Sequence, residues 1–150
     1  MANSVSEVLL TTQPLEDAAH RAAATEDVDL AAGAVVDFWG VVRELEGGRK
    51  IKGIDYEAHQ TMAEHQLRSI ADAAVTKFQL KQVLLHHRIG FVGAGEASLF
   101  LRVRAPHRNK AFEASQWIVD ELKKKVPIWK RPRFQSESVS QAADRAATTV

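Results

Sequence analysis

The succession of strand-like and helix-like segments limits the folds available to this chain more than any other feature. Two long segments, 67–78 and 111–122, have apolar residues at helical spacing, and short segments rich in β-branched residues precede, separate and follow them. With a further helical segment near the start, the predicted order is β-α-β-β-α-β-β-α-β. Because neighbouring strands are joined by short turns, we predict an α+β fold with a largely antiparallel sheet and packed helices.

The boundaries of these segments follow from turn and cap residues. Pro127 ends one predicted helix, and Thr61-Met62-Ala63-Glu64 has the form of a capping box that begins another. The segment 44–50 is predicted as a turn or mobile loop, and 90–96 as a turn between strands. The predicted strands are 5–11, 33–42, 51–59, 83–87, 97–105 and 128–134, and the predicted helices are 14–24, 61–78 and 107–125.

Length and composition fit a single globular domain. A chain of 150 residues with 45% hydrophobic and 26% charged residues has an ordinary globular composition. A domain of this size buries roughly 70% of the surface that its unfolded chain exposes. We predict this domain at 1–134. The segment 135–150 is rich in Ser, Ala and Thr, so we predict a flexible or frayed tail there.

Several classes of protein and site are not expected. No apolar run approaches the roughly 20 residues that span a bilayer, and residues 1–10 lack the basic start of a signal peptide, so we expect a cytoplasmic protein without membrane association. The absence of cysteine excludes disulfides and thiolate chemistry. The glycines at 90, 93 and 95 form no nucleotide-binding motif, and the six histidines form no H-E-x-x-H motif, so we expect neither a cofactor nor a metal.

Positive charge is concentrated in one segment, although the whole chain is nearly neutral. The net charge is +1, whereas 102–133 alone contains ten basic and three acidic residues. Such a concentration favours an anionic substrate or partner. Nucleic acid is one such partner. We do not expect it, because aromatic residues are few in this segment and no nucleic-acid-binding motif is present.

Three residues at predicted element ends are candidates for binding an anion. His107 and Arg108 begin the last predicted helix, where free backbone N–H groups and the helix dipole favour an anion. The alternative is that both are solvated residues of the first turn. Arg43 directly follows a strand that ends Gly40-Val41-Val42, where an arginine can reach into a cleft or lie in solvent.

Two lysines of the basic segment are candidates for catalysis. Lys123 lies next to the apolar stripe of its predicted helix, whereas Lys124 and Lys125 have the usual place of cations that stabilise a helix end. Lys130 follows Val126-Pro127-Ile128-Trp129, whose apolar and rigid side chains would partly remove its ammonium from water. Spacing alone makes this pair only one hypothesis among several.

Collinear motifs over roughly Val5–Arg131 resemble one known family, the catalytic (large) subunit of molybdopterin synthase. They match that family in order and with compatible spacing. The motifs are Gly33-Ala34-Val35-Val36-Asp37-Phe38-Trp39-Gly40-Val41-Val42-Arg43, Tyr56-Glu57-Ala58-His59 with Met62-Ala63-Glu64, His87-Arg88-Ile89-Gly90 with Gly95-Glu96, Ala105-Pro106-His107-Arg108 with Ala111-Phe112-Glu113-Ala114, and Asp120-Glu121-Leu122-Lys123 with Pro127-Ile128-Trp129-Lys130.

The resemblance implies a fold, a set of partners and a reaction. It implies an α/β hammerhead-like core and a homodimer that forms a heterotetramer with a ubiquitin-like small sulfur-carrier subunit. The carrier would end in a thiocarboxylated C-terminal glycine. The enzyme, a sulfurtransferase of molybdenum cofactor biosynthesis, would transfer two sulfurs to cyclic pyranopterin monophosphate and so form the dithiolene of molybdopterin.

The resemblance also implies roles for single residues. Lys123 matches the main catalytic lysine of the family, and Lys130 matches the lysine that assists it. The substrate pocket, near the subunit interface, would contain both lysines together with Val41, Val42, Arg43, His107, Arg108 and Arg131.

The chain departs from the family pattern after Lys130. Pro132 stands where the family usually has an acidic residue, and the tail beyond Phe134 lacks the expected Trp-containing stretch. These departures keep a second hypothesis open, a non-catalytic module that binds the sulfur carrier or another anionic partner through its basic segment.

Overall fold

The computed structural model describes residues 5–17, 19–20, 30–135 and 148–150. The helices in these ranges are a short α1 (15–17 and 19–20), α2 (Gln60–Phe78) and α3 (Arg108–Lys125). The strands are β1 (Ser6–Thr11), β2 (Ala34–Val41), β3 (Leu45–Glu46), β4 (Arg49–Ala58), β5 (Gln82–Arg88), β6 (Gly90–Gly93), β7 (Ala97–Ala105), β8 (Ile128–Phe134) and β9 (Thr148–Thr149).

The strands form two sheets. The first has the order β1-β5-β7-β2, in which β1 and β5 are parallel and the other neighbours antiparallel. The second has the order β3-β4-β8-β9, and β6 also pairs with β4. Helices α2 and α3 pack against the first sheet, α2 on β1 and β5, and α3 on β7 and β2. The predicted α+β fold with largely antiparallel pairing is therefore confirmed.

The helices form where the sequence places apolar residues on one face. In α2 the buried residues include Leu67, Ile70 and Phe78, and in α3 they include Ile118 and Leu122, as the spacing predicts. These side chains meet apolar residues of both sheets in one main core. Within the described ranges, no helix combines the length and apolarity needed to cross a bilayer.

Strand β5 is buried on both faces and therefore separates two cores. Leu85 belongs to the main core, whereas Leu84 packs with Phe100 and α1 in a smaller cluster on the other face. Because side chains alternate along a strand, His86 and His87 lie on opposite faces, as predicted. The His86 ring lies beside Phe100, and the His87 ring lies beside Tyr56 of β4.

The N-terminus of α2 differs from the prediction. The capping box placed the helix start at Thr61, but the N-cap residue is His59, and the helix begins at Gln60. The Nδ1 atom of His59 accepts a hydrogen bond from the backbone N–H of Met62 at 3.3 Å. An imidazole nitrogen can therefore fill the role that usually belongs to a Ser, Thr, Asp or Asn oxygen.

Both predicted turn segments contain more strand than expected. Segment 44–50 is a tight β3–β4 hairpin, because Gly47 and Gly48 adopt positive φ angles of 57° and 79°, which suit a two-residue turn. In 90–96 the first four residues form β6 on β4, and the turn is confined to the residues after Gly93. The sequence pattern does not indicate these strands because both are short, and β6 begins and ends with glycine.

The C-terminal region returns to the second sheet. Strand β8 ends at Phe134, next to the predicted domain boundary. Most of the predicted tail, 136–147, lies outside the described residues, as does part of the predicted helix 14–24. Strand β9 pairs with Trp129 and Lys130 of β8, and the backbone N–H of Val150 donates to the Ile128 carbonyl at 3.1 Å. The last three residues are thus packed on the domain.

Candidate active site

A cavity of about 410 Å³ lies where the end of β2, the end of α3 and the second sheet meet. This volume is in the range of small-molecule sites. Five of the eight residues predicted to form the substrate pocket line it. They are Val41, Val42, Arg43, Lys123 and Lys130.

A β-bulge shapes the β2 side of the cavity. The register of β2 on β7 shifts between Gly40 and Val41. A Cβ atom at Gly40 would lie 3.1 Å from Cβ of Leu99, so the two strands approach closely there. The bulge bends the strand end, which leaves Val41 half exposed, buries Val42 and leads into the exposed Arg43 at the rim.

The three lysines at the end of α3 have different surroundings. Lys124 and Lys125 form ion pairs with Glu121 at 3.6 and 2.7 Å. These contacts, with their position in the last turn, explain both residues as helix-stabilising cations. Lys123 lines the cavity and takes part in none of the ion pairs among the described residues. Its ammonium is thus available to an anion that enters.

Lys130 reaches the cavity from β8 and has an acidic partner there. Its Nζ lies 3.6 Å from Oε1 of Glu46 on β3, and the two side chains are 29% and 30% exposed. Glu46 therefore orients the ammonium. The sequence offered no signal for this contact, because it depends on the unpredicted β3–β4 hairpin. Pro132 does not leave Lys130 without an acidic partner.

Arg131 lies on the opposite face of β8 from Lys130. Its Nη1 is 3.6 Å from Oε1 of Glu57 on β4, and it does not line the cavity. Alternation along the strand turns it away from its neighbour. The structure therefore does not bring Arg131 together with the two lysines, and its role in binding stays a prediction.

His107 and Arg108 lie at the other end of β2. They line a separate hollow with Gly33, Pro106 and Asn109. Antiparallel pairing places this end of β2 seven strand positions from Val41, which corresponds to roughly 24 Å. A single chain therefore does not bring His107 and Arg108 to the lysine cavity.

Three buried polar residues of the cavity were not singled out from the sequence. Tyr56, His87 and Ser98 line its inner end and are 7%, 2% and 8% exposed. Burial lowers the pKa of His87 to about 4, and a hydrogen bond to the Arg88 backbone opposes this shift. Burial also raises the pKa of Tyr56, with a smaller opposing effect from its hydrogen bond to Ser98. Both rings are neutral at pH 7.

Acid should destabilise the folded chain through His87. An unfolded histidine has a pKa of 6.5 and the folded residue about 4, so between these values only the unfolded state binds the proton. Stability is therefore lost as pH falls from 6.5 towards 4, by about 2–3 kcal/mol at pH 4.5 relative to pH 7.5. Urea unfolding at both pH values should show a correspondingly smaller loss in His87→Asn than in the wild type. An equal loss in both would contradict this origin.

The described residues offer no evident metal site. Across 5–17, 19–20, 30–135 and 148–150, no three His, Asp or Glu side chains come together in a way that could hold a metal ion. The groups that line the cavity are two ammonium groups, a guanidinium, a carboxylate and the neutral polar groups at the inner end.

Known proteins resemble this chain in both sequence and structure. The sequence profile of the MoaE protein matches residues 10–125. The molybdopterin synthase catalytic subunit of Pyrococcus abyssi is 44% identical over 101 residues, which are 67% of this chain and 68% of that protein. The crystal structure of molybdopterin synthase from Staphylococcus aureus gives a TM-score of 0.76 at 30% identity and covers 85% of this chain and 91% of that one.

A more distant solved structure shares the fold. It is a complex of subunits 1 and 2 of molybdopterin-converting factor from Helicobacter pylori, with a TM-score of 0.65 at 20% identity, covering 89% of this chain and 88% of that one. The matched profile contains Lys123 and ends before Lys130. The profile covers most of the chain, and the Pyrococcus relative agrees with it. The chain belongs to the MoaE protein family.

Proposed function

We propose that this chain is the catalytic subunit of molybdopterin synthase, a sulfurtransferase that acts in the cytoplasm. It transfers sulfur from a thiocarboxylated small carrier subunit to cyclic pyranopterin monophosphate and forms the dithiolene of molybdopterin. The observation that carries the proposal is the convergence of Arg43, Lys123 and Lys130, from three separate parts of the chain, on one cavity. Membership of the family supports the same reaction.

The cations suit both reactants. The small substrate carries a phosphate, and the carrier ends in a thiocarboxylate, which is an anionic nucleophile. The thiocarboxylate sulfur bonds to a substrate carbon while a carbon–oxygen bond at that carbon breaks, and the displaced oxygen leaves as water or stays on the phosphate. The sulfur is then linked to the carrier as a thioester. Water then cleaves the thioester, so the carrier leaves as a carboxylate and the sulfur stays on the product. These steps need charge stabilisation and proton transfer at the reacting atoms.

The two lysines divide these tasks in the proposed mechanism. Lys123 has no competing carboxylate partner among the described residues, so it holds the thiocarboxylate and moves protons during sulfur transfer. Lys130, oriented by Glu46, neutralises negative charge on the substrate. Arg43 at the rim binds the phosphate, where a guanidinium donates in a fixed planar arrangement.

A homodimer through β2 would complete the substrate pocket. Strand β2 is the last strand of the first sheet, and the large side chains of Val35, Trp39 and Val41 are 47%, 37% and 51% exposed. If two β2 strands pair antiparallel, the His107 end of one copy lies beside the Val41 end of the other. His107 and Arg108 of the second copy then contribute to the cavity that holds Lys123. With a carrier at each cavity, the assembly is a heterotetramer.

Mixing two impaired variants tests this shared pocket. Lys123→Ala should be inactive and His107→Ala should bind substrate weakly, so each alone has low kcat/KM. When the two variants are co-expressed, half of the dimers contain one copy of each. In such a dimer, one of the two cavities combines the intact Lys123 of the His107→Ala copy with the intact His107 of the Lys123→Ala copy. We expect about a quarter of wild-type kcat/KM at low substrate concentration.

The control for this experiment is a double variant that carries both substitutions in one chain. Co-expressed with the wild type, its mixed dimers have no cavity with both residues intact, so only the wild-type dimers contribute. If kcat/KM of the co-expressed single variants does not exceed the average of the two variants measured alone, each cavity is complete within one chain. The proposal of a shared pocket is then wrong.

The proposal differs from a non-catalytic module in one observable. Both bind the thiocarboxylated carrier, but only the synthase converts cyclic pyranopterin monophosphate to molybdopterin. A purified chain that captures the carrier and yields no molybdopterin would favour the module. Product that appears with the wild type and is lost in Lys123→Ala would support the synthase.

A further inference from the structure

The inner end of the cavity is built differently from its rim. The rim carries the three cations that the proposed function uses, with Arg43 and Lys123 exposed. The inner end is formed by Tyr56, His87 and Ser98, which are almost entirely buried. Polar groups in such surroundings are costly unless they have hydrogen-bond partners. The hydrogen bonds that these three side chains make, and the ones they leave unfilled, therefore indicate what this end of the cavity binds.

The hydrogen bond of His87 determines which ring nitrogen is free. Nδ1 lies 2.8 Å from the backbone carbonyl oxygen of Arg88. A carbonyl oxygen only accepts, so Nδ1 carries the proton and donates it. In a neutral ring, Nε2 then holds a lone pair and can only accept. Among the described residues Nε2 has no hydrogen-bond partner, and the ring lines the cavity. A molecule there must offer a donor.

Tyr56 and Ser98 extend this neutral surface. The Tyr56 ring meets the His87 ring edge-on, with 5.2 Å between centroids, and the Tyr56 hydroxyl bonds to Ser98. The Ser98 hydroxyl lies 3.4 Å from the backbone carbonyl oxygen of Gly40. These hydroxyls both donate and accept. The buried side chains of Leu99 and Leu122 add apolar walls on which a flat ring can pack.

The position of this surface beyond the lysines indicates which reactant reaches it. In the proposed mechanism the carrier's chain enters from outside and its terminal thiocarboxylate stays at the lysines, where Lys123 holds it. The space beyond them is therefore left to the small substrate. We propose that the inner end of the cavity is a recognition subsite for the heterocyclic ring system of that substrate, in which a ring N–H donates to Nε2 of His87 and the Tyr56 hydroxyl bonds beside it. This inference rests on the proposed function.

A pair of substitutions at His87 separates recognition from structure. In His87→Asn the side-chain amide takes the place of Nδ1, so the bond to the Arg88 carbonyl is kept and the Nε2 acceptor is lost. In His87→Gln an amide oxygen can reach the Nε2 position, so the acceptor is kept. The measurement is calorimetric binding of cyclic pyranopterin monophosphate to the carrier-free protein. We expect Kd to rise about tenfold in His87→Asn and less than threefold in His87→Gln.

His86→Asn is the matched control, because the same substitution falls on the other face of β5, away from the cavity. It should leave substrate Kd unchanged. Thermal unfolding identifies any variant that fails to fold, and His87→Gln then carries the comparison. Equal substrate affinity in His87→Asn and the wild type would overturn the subsite, as would weaker carrier binding with unchanged substrate binding. A wild-type protein that neither binds the substrate nor forms product would overturn the proposed function itself.

Discussion

Lys123→Ala should lower kcat for molybdopterin formation at least about a hundredfold, while the protein still folds and forms its dimer. Lys123 reaches the cavity from α3 and has no acidic partner among the described residues, so its ammonium is free to act on the reactants. A group that transfers protons or stabilises charge in the transition state typically raises the reaction rate a hundredfold or more. The measurement is steady-state turnover with thiocarboxylated carrier and cyclic pyranopterin monophosphate.

Neighbouring lysines provide graded controls for this prediction. Lys124→Ala removes a cation one position away that pairs with Glu121, and turnover should stay near that of the wild type. Lys130→Ala should have an intermediate effect of about tenfold, because its proposed role is to neutralise charge on the substrate. Near-normal turnover in Lys123→Ala, or equal losses in all three variants, would show that the catalytic role has been assigned to the wrong residue.

Gly53→Ala should destabilise the fold by about 3 kcal/mol, near the upper end of what overpacking costs. Gly53 is buried in β4, between β6 and β8. A Cβ atom there would overlap the Val92 carbonyl oxygen and lie 2.6 Å from Cζ of Phe91. The Phe91 ring is 45% exposed and can turn aside, but the backbone of β6 cannot move away without breaking its pairing with β4.

Urea unfolding with a fluorescence signal measures this effect. Lys52→Ala, at the exposed neighbouring position of the same strand, is the matched control and should change stability by less than about 0.5 kcal/mol. Because β4 also carries Ile54 and Tyr56 into the cavity, any Gly53→Ala protein that folds should also bind substrate more weakly. Wild-type stability in Gly53→Ala would contradict the close approach of β4 and β6.

The fold was predictable where a pattern repeats along several residues. The apolar stripes of α2 and α3 lie where helical periodicity placed them, because burial of one face determines the spacing. The long strand β7 has the predicted bounds. Strands β3 and β6 were missed, since a strand of two to four residues has no period. The histidine cap of α2 was missed because a local hydrogen bond, not residue preference, determines it.

The site was predictable only in part, for a similar reason. Family motifs pointed to Lys123, Lys130 and Arg43, and these residues do meet at one cavity. Glu46 was invisible in the sequence, because its contact with Lys130 crosses from β3 to β8. The roles of His87 in the cavity and of β2 as an open edge depend on strand order, which a linear pattern does not contain.

The most direct test of the central claim is to mix the purified chain, carrier with a thiocarboxylated C-terminus and cyclic pyranopterin monophosphate, then quantify molybdopterin and follow the carrier by mass spectrometry. Sulfur transfer at the Lys123 cavity predicts one molybdopterin for every two carriers converted from thiocarboxylate to carboxylate, and product formation at least about a hundredfold slower with Lys123→Ala. Carrier and substrate that both bind while no molybdopterin forms would contradict it.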